Sequence, residues 1–236
     1  MSASGEPGSQ LPLALRYPPD QRLTAFVDAP SGALAQLRAL AAGTGDWLYL
    51  QGAEGTGKTH LALAVCAEAE TAGRSAAYLP LRNASGRLRA ALEALDGNNL
   101  VALDGVESIA AQADDELALF DFHNRARAAG SSVVYTAALA PDALGLRLPD
   151  LRSRLGQCTR VNLSALDDDG RRRVLRDRAQ RRGLVLDEAA LDWLLRRVGR
   201  NIAELTGLLD TLDRASLIAQ RRITVPFLRE TLGPEI

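Results

Sequence analysis

The segment Gly52-Ala53-Glu54-Gly55-Thr56-Gly57-Lys58-Thr59 constrains this chain more than any other. It fits the P-loop template, G-x-x-x-x-G-K-[ST]. The apolar run Trp47-Leu48-Tyr49-Leu50 stands before it and reads as a buried strand. Helix formers follow from Thr59 to about Ala72, closed by Gly73. A glycine-rich turn between strand and helix turns its backbone N–H groups inward around phosphate, and the helix N-terminus adds its dipole. Gly52, Gly55, Thr56 and Gly57 form that cradle, Lys58 is expected to reach the β- and γ-phosphates, and the Thr59 hydroxyl is expected to ligate Mg²⁺. The expected ligand is ADP or ATP with Mg²⁺. Composition adds one argument: all but one of the 28 basic residues are arginines, and the single lysine is Lys58. A slim ammonium suits a tight phosphate loop where a wide guanidinium does not.

Short apolar runs alternate with helical stretches on both sides of this motif. Ser31 can cap a helix running to Ala42 and stopped by Gly43. Strands are predicted at Ala76–Leu79, Leu100–Leu103, Val133–Thr136 and Val161–Leu163, and helices at Leu88–Leu95 and Glu116–Ala129. Such alternation predicts an α/β fold, a parallel sheet covered by helices. Asp104, at the end of the third strand, fits the Walker B position that holds Mg²⁺ with Thr59. Gly105 follows where a hydrolase would carry a carboxylate, and Glu107 falls out of step with that position.

After Ser164 only helical periodicity remains. Asp167 to Asp169 suit a positive helix start. Asp169 with Arg173, and Asp177 with Arg181, are spaced for pairing along a helix. Leu191, Leu194, Leu195 and Val198 mark one apolar face, and Ile202, Leu205, Leu209 and Leu212 another. The organisation read from this is a flexible arm over 1–22, a nucleotide-binding α/β domain over 23–164, and a small all-helical lid over 165–236. The arm carries a short apolar island, Gln10-Leu11-Pro12-Leu13-Ala14-Leu15.

Hydrophobic residues make up 47% and aromatics 4%, so the core must be built from Ala, Leu and Val. A formal net charge of −1 gives no basic field for strong direct DNA binding. Cys66 and Cys158 have no metal-type spacing and read as inert thiols of a reduced compartment. No signal peptide or membrane-length apolar run is present in the sequence, which points to a soluble cytoplasmic protein. His60 and His123 read as helix-surface residues, and Arg171 to Arg173 as a solvated helix face.

A P-loop sheet followed by a helical lid resembles the AAA+ ATPases. Leu148 to Leu155 is similar to the box VI segment of the bacterial initiator DnaA and its relatives, and the resemblance maps the arginine finger onto Arg154. Arg200 to Leu232 is similar to the sensor II and closing helices of that group, with no DNA-reading helix-turn-helix domain expected after it. Gln10 to Leu15 resembles the clamp-binding sequence of the Hda family, the regulatory inactivators of DnaA, with Gln10, Leu11, Leu13 and Leu15 as contacts. The resemblance to that family runs from Gln10 to Leu232. It implies a negative regulator of chromosome replication initiation. Such a regulator docks on the DNA polymerase III sliding clamp (the β subunit) and stimulates hydrolysis of DnaA-bound ATP through Arg154. DnaA and the clamp are the implied partners, and a homodimer is left open.

Three positions depart from the family. Thr136-Ala137-Ala138 replaces the Thr-x-Asp that commonly ends the sensor I strand. Ala203 stands at the sensor II arginine, with Arg200 one turn earlier as an imperfect substitute in the nucleotide site. Gly105 is the third. All remove groups that act on a γ-phosphate, so weak intrinsic ATPase activity is expected. The alternatives are an autonomous AAA+ ATPase such as a helicase loader, which needs its own hydrolytic set, or a divergent DnaA paralogue.

Overall fold

The structure is a computed structural model that describes residues 22–84, 86–197, 207–209, 211–215 and 223–233. Gln10, Leu11, Leu13, Leu15, Val198, Arg200, Ile202, Ala203 and Leu205 lie outside the described residues. The strands are β1 (Leu48–Gln51), β2 (Ala76–Pro80), β3 (Leu100–Asp104), β4 (Ser132–Ala137) and β5 (Thr159–Asn162). Between and after them come α1 (Ala33–Ala42), α2 (Lys58–Thr71), α3 (Leu88–Glu93), α4 (Ala113–Ala128), α5 (Pro149–Gly156), α6 (Asp168–Arg181) and α7 (Glu188–Arg197). A closing helix spans Val225–Leu232, and residues 207–209 and 211–215 are also helical.

All strand pairs are parallel, in the order β2-β3-β4-β1-β5. Both faces of such a sheet must be covered, and alternation along each strand divides the apolar residues between them. Leu48 and Leu50 of β1, with Leu100 and Ala102 of β3, pack against α1 and α2 through Leu37, Leu40, Leu61 and Val65. Tyr49, Val101, Leu103 and Tyr135 face the other way, against Leu92, Phe122, Leu151 and Leu155 of α3, α4 and α5. A separate apolar cluster joins the helices after β5 through Leu175, Leu191, Leu194, Leu209, Leu212 and Leu228.

Local detail departs from the sequence reading at several points. Ser31 does not cap α1; Gly32 occupies that position with φ +77° and no side-chain cap forms. Gly43 does end the helix, at φ +80°. Helix α4 starts at Ala113 rather than Glu116, with Asp114, Asp115 and Glu116 in its first turn, where acidic groups favour the dipole. The Asp177–Arg181 pair forms at 2.7 Å. Arg173 pairs instead with Asp28, because the loop before α1 passes closer to it than Asp169 does along its own helix surface. Asp167 caps α6 by accepting the Gly170 N–H at 2.7 Å.

Candidate nucleotide site

Because β1 lies between β4 and β5 while the chain leaves it for the distant edge strand β2, a crevice opens at the carboxyl end of β1. The P-loop fills it. Gly55 and Gly57 have φ of +79° and +89°, a left-handed backbone that side chains resist. A Cβ on Gly57 would stand 2.6 Å from the Phe26 ring, and one on Gly52 would stand 2.4 Å from the Leu163 carbonyl. The glycines therefore serve conformation and clearance together. Thr56 braces the turn, donating its hydroxyl to the Ala53 carbonyl at 2.8 Å.

Lys58 donates from Nζ to the carbonyls of Gly52 at 2.6 Å and Ala53 at 2.8 Å. Its ammonium thus lies along the loop, on weak acceptors that phosphate oxygens can replace. Burial lowers its pKa, and the nearby charges of Glu107, Asp104 and Glu54 oppose that shift.

Asp104 is held by three hydroxyls. Thr59 Oγ1 donates to Oδ2 at 2.8 Å, Tyr78 donates to the same oxygen at 2.7 Å, and Thr136 donates to Oδ1. The Gly105 N–H in turn donates to Thr136 Oγ1 at 3.0 Å. Burial and the Asp104 charge raise the Tyr78 phenol, keeping it a donor. Thr59 and Asp104 are thus adjacent, as a shared Mg²⁺ requires. Among the described residues no three His, Cys, Asp or Glu side chains gather as a metal set of their own. Thr59 and Asp104 suit an ion that brings phosphate oxygens with it. Sequence reading missed Tyr78 and the hydroxyl role of Thr136. The register supplies the signal: Tyr78 pairs with Ala102, so it shares a face with Asp104 two residues on.

Glu107 is the clearest change from the sequence reading. Gly105, at φ +84°, starts a 3-10 turn over Val106–Ile109 that swings Glu107 back toward the crevice. Its Oε2 accepts the Ala138 N–H at 3.1 Å, and its charge acts on Lys58. A carboxylate out of step along a strand is back in reach across a tight turn.

Beside the P-loop, a narrow cleft is lined by Phe26, Pro30, Gly57, His60, Leu166 and Val174, among others. Its walls are mostly apolar. Nothing local in the sequence marks it, because its walls come from the loop before α1, the P-loop, the end of β5 and α6. Phe26 and His60 pack with ring centroids 5.6 Å apart.

Two other expectations are corrected. His123 is buried rather than on a helix surface; it shares a hydrogen bond with Tyr135 at 3.0 Å and meets the Trp47 ring edge-on. α4 packs this side toward the sheet, and burial, with Arg127 and Arg154 nearby, lowers its pKa from 6.5 to about 4. The Arg171–Arg173 run is a solvated face only in part, with Arg173 exposed and Arg172 half-buried. Arg171 is buried and pairs with Asp168, Arg172 bridges Glu188 and Asp192 on α7, and Arg173 holds Asp28. Arg172 and Arg173 tie α6 to its neighbours. Cys66 and Cys158 are buried free thiols, and burial pushes Cys158 up to about 11.

Arg154 lies in the last turn of α5, whose Leu151 and Leu155 pack on the sheet face opposite α2. The residue is exposed, and its guanidinium makes no hydrogen bond or ion pair among the described residues. No helix described here is long and apolar enough to cross a membrane.

Residues 168–232 match the family described as Hda, lid domain. Domain III of the Thermotoga maritima replication initiation protein DnaA superposes with a TM-score of 0.73 at 20% identity, over 92% of this chain and 99% of that one. AMPPCP-bound DnaA from Aquifex aeolicus gives 0.68 at 22% identity, over 84% and 66% of the two chains. A Thermotoga maritima RuvB variant gives 0.65 at 17% identity, over 91% and 74%. The five-stranded parallel sheet and the helices after it thus share the AAA+ fold of these DnaA and RuvB structures, and residues 168–232 resemble the Hda lid.

Proposed function

We propose that this chain is a nucleotide-bound negative regulator of replication initiation that stimulates hydrolysis of ATP held by DnaA. The observation that carries the reading is Arg154: an exposed guanidinium on a short, anchored helix, without an ion pair among the described residues. A guanidinium brought against a γ-phosphate stabilises charge that grows in the transition state, in a site that neither protein completes alone. The lid match, the DnaA-like fold and the ligand of the Aquifex protein support the partner and the nucleotide. In this chain Gly52 to Thr59 and Asp104 would hold ADP or ATP, and Mg²⁺ bound with it would neutralise phosphate charge. Docking on the sliding clamp through Gln10, Leu11, Leu13 and Leu15 would bring the chain to replicating DNA, and the α/β and lid domains divide near residue 165.

The experiment combines DnaA loaded with ATP, clamp on DNA and this chain, with ADP formation followed over time. Arg154→Ala should lower the stimulated rate by on the order of 10³-fold or more, since finger removal in related phosphoryl transfer costs that much. A variant that stimulates as well as the wild type would end the finger reading.

A second reading, an autonomous ATPase, draws support from Glu107, whose carboxylate lies within the electrostatic reach of Lys58. Turnover by the chain alone at about 1 per second or faster, lost in Glu107→Gln, would favour it.

A further inference from the structure

Glu116 stands in the first turn of α4 and is fully buried, yet its carboxylate serves another segment. Oε1 accepts the N–H groups of Ala111 at 2.8 Å and Arg147 at 3.1 Å, and Oε2 accepts that of Leu148 at 2.7 Å. Leu148 is the residue immediately before α5, and no side chain of its own caps that helix. The carboxylate therefore holds from outside the cap residue of α5 and the residue before it.

The rest of the anchorage of α5 is apolar: Leu151 and Leu155 sit in the core, preceded by Leu144 and Leu146. Apolar burial has no direction, and a helix held by it alone can slide or roll with little change in buried area. Hydrogen bonds to a carboxylate are short and directional. Two of them, on consecutive N–H groups at the head of the helix, fix its axial position and rotation. Arg154 follows Leu148 by less than two turns, so little slack intervenes.

We propose that Glu116 is a positioning residue that aims Arg154, holding by their N–H groups the two residues that lead into α5. This rests on the arginine-finger reading above. Glu116→Gln is nearly isosteric, but its amide nitrogen would face an N–H donor, leaving at least one of the three groups without an acceptor.

The test uses the full chain with clamp-loaded DNA and ATP-bound DnaA, comparing wild type, Glu116→Gln and Arg154→Ala. A misplacement of about 1 Å costs roughly 10²-fold in rate, so the maximal stimulated rate of Glu116→Gln should fall by about 10- to 100-fold. The concentration giving half that maximum and the thermal shift caused by ADP should stay as in wild type. The amides of Arg147 and Leu148 should exchange hydrogen faster. A wild-type maximal rate in Glu116→Gln, with Arg154→Ala inactive, overturns the positioning role. A wild-type rate in Arg154→Ala overturns the finger and with it the aiming. That outcome is told apart because the faster exchange at Arg147 and Leu148 persists. Should Glu116→Gln fail to fold, Glu116→Asp, which draws the carboxylate back by one methylene, is read in the same way. Loss of ADP binding in parallel with loss of rate would make Glu116 a general stability residue and overturn the proposal.

Discussion

His123 shows how one buried side chain sets a pH dependence. Its Nδ1 shares a hydrogen bond with the Tyr135 hydroxyl, and its pKa falls from 6.5 to about 4 in the folded state. The unfolded chain takes up a proton that the folded chain refuses, so stability is complete above about pH 6.5 and is lost as pH falls toward 4. The loss is on the order of 3 kcal/mol. Urea titrations between pH 7 and 4 should show it, and His123→Gln should flatten that limb; an unchanged slope in the variant would assign the loss elsewhere. Gly57 permits an equally local test. With φ at +89° and the Phe26 ring where a Cβ would stand, Gly57→Ala should destabilise by about 1–3 kcal/mol and abolish nucleotide binding. Calorimetry on the purified variant checks both.

At the scale of elements, the sequence was read well where periodicity and composition agree. Trp47 to Leu50, Leu100 to Leu103 and Val133 to Thr136 are short apolar runs between turn residues, and each strand lies within a residue or two of that reading. The glycine-rich turn was legible for a different reason: its residues are contiguous, and glycine at fixed offsets has few other uses. Glu107 and Tyr78 were not, because they come to the site only through the 3-10 turn after Gly105 and the strand register. His123 was misread because α4, acidic at its start and basic at its end, hides an inward stripe of Ala118, Leu119, Phe122 and Ala126 among charged neighbours. The contact between Asp28 and Arg173 links the loop lining the cleft to α6. Arg173→Ala should leave the melting temperature of the nucleotide-free chain nearly unchanged, as an exposed pair contributes little. It should weaken nucleotide binding several-fold by loosening one wall of the cleft, which equilibrium titration with ADP would reveal.

For the whole molecule, nucleotide should act as a stabiliser through linkage. ADP with Mg²⁺ at about 100 times its Kd adds about 2.7 kcal/mol, a rise in Tm of roughly 5–10 °C for a domain of this size. Lys58→Ala should remove that rise while leaving the ligand-free Tm nearly where it was, because its ammonium contacts only loop carbonyls. Differential scanning fluorimetry with and without ADP separates the two; a persistent rise in the variant would place the nucleotide elsewhere.

The strand order also governs when the chain can finish folding. β2 and β3 are neighbours and can pair early, but Leu48 of β1 has its partners at Val134 and Thr159. During synthesis the P-loop strand therefore waits, unpaired on both edges, until β4 has been made and then β5. Closing so long a loop is entropically costly and slow. The P-loop, translated early, is among the last parts of the site to be shaped.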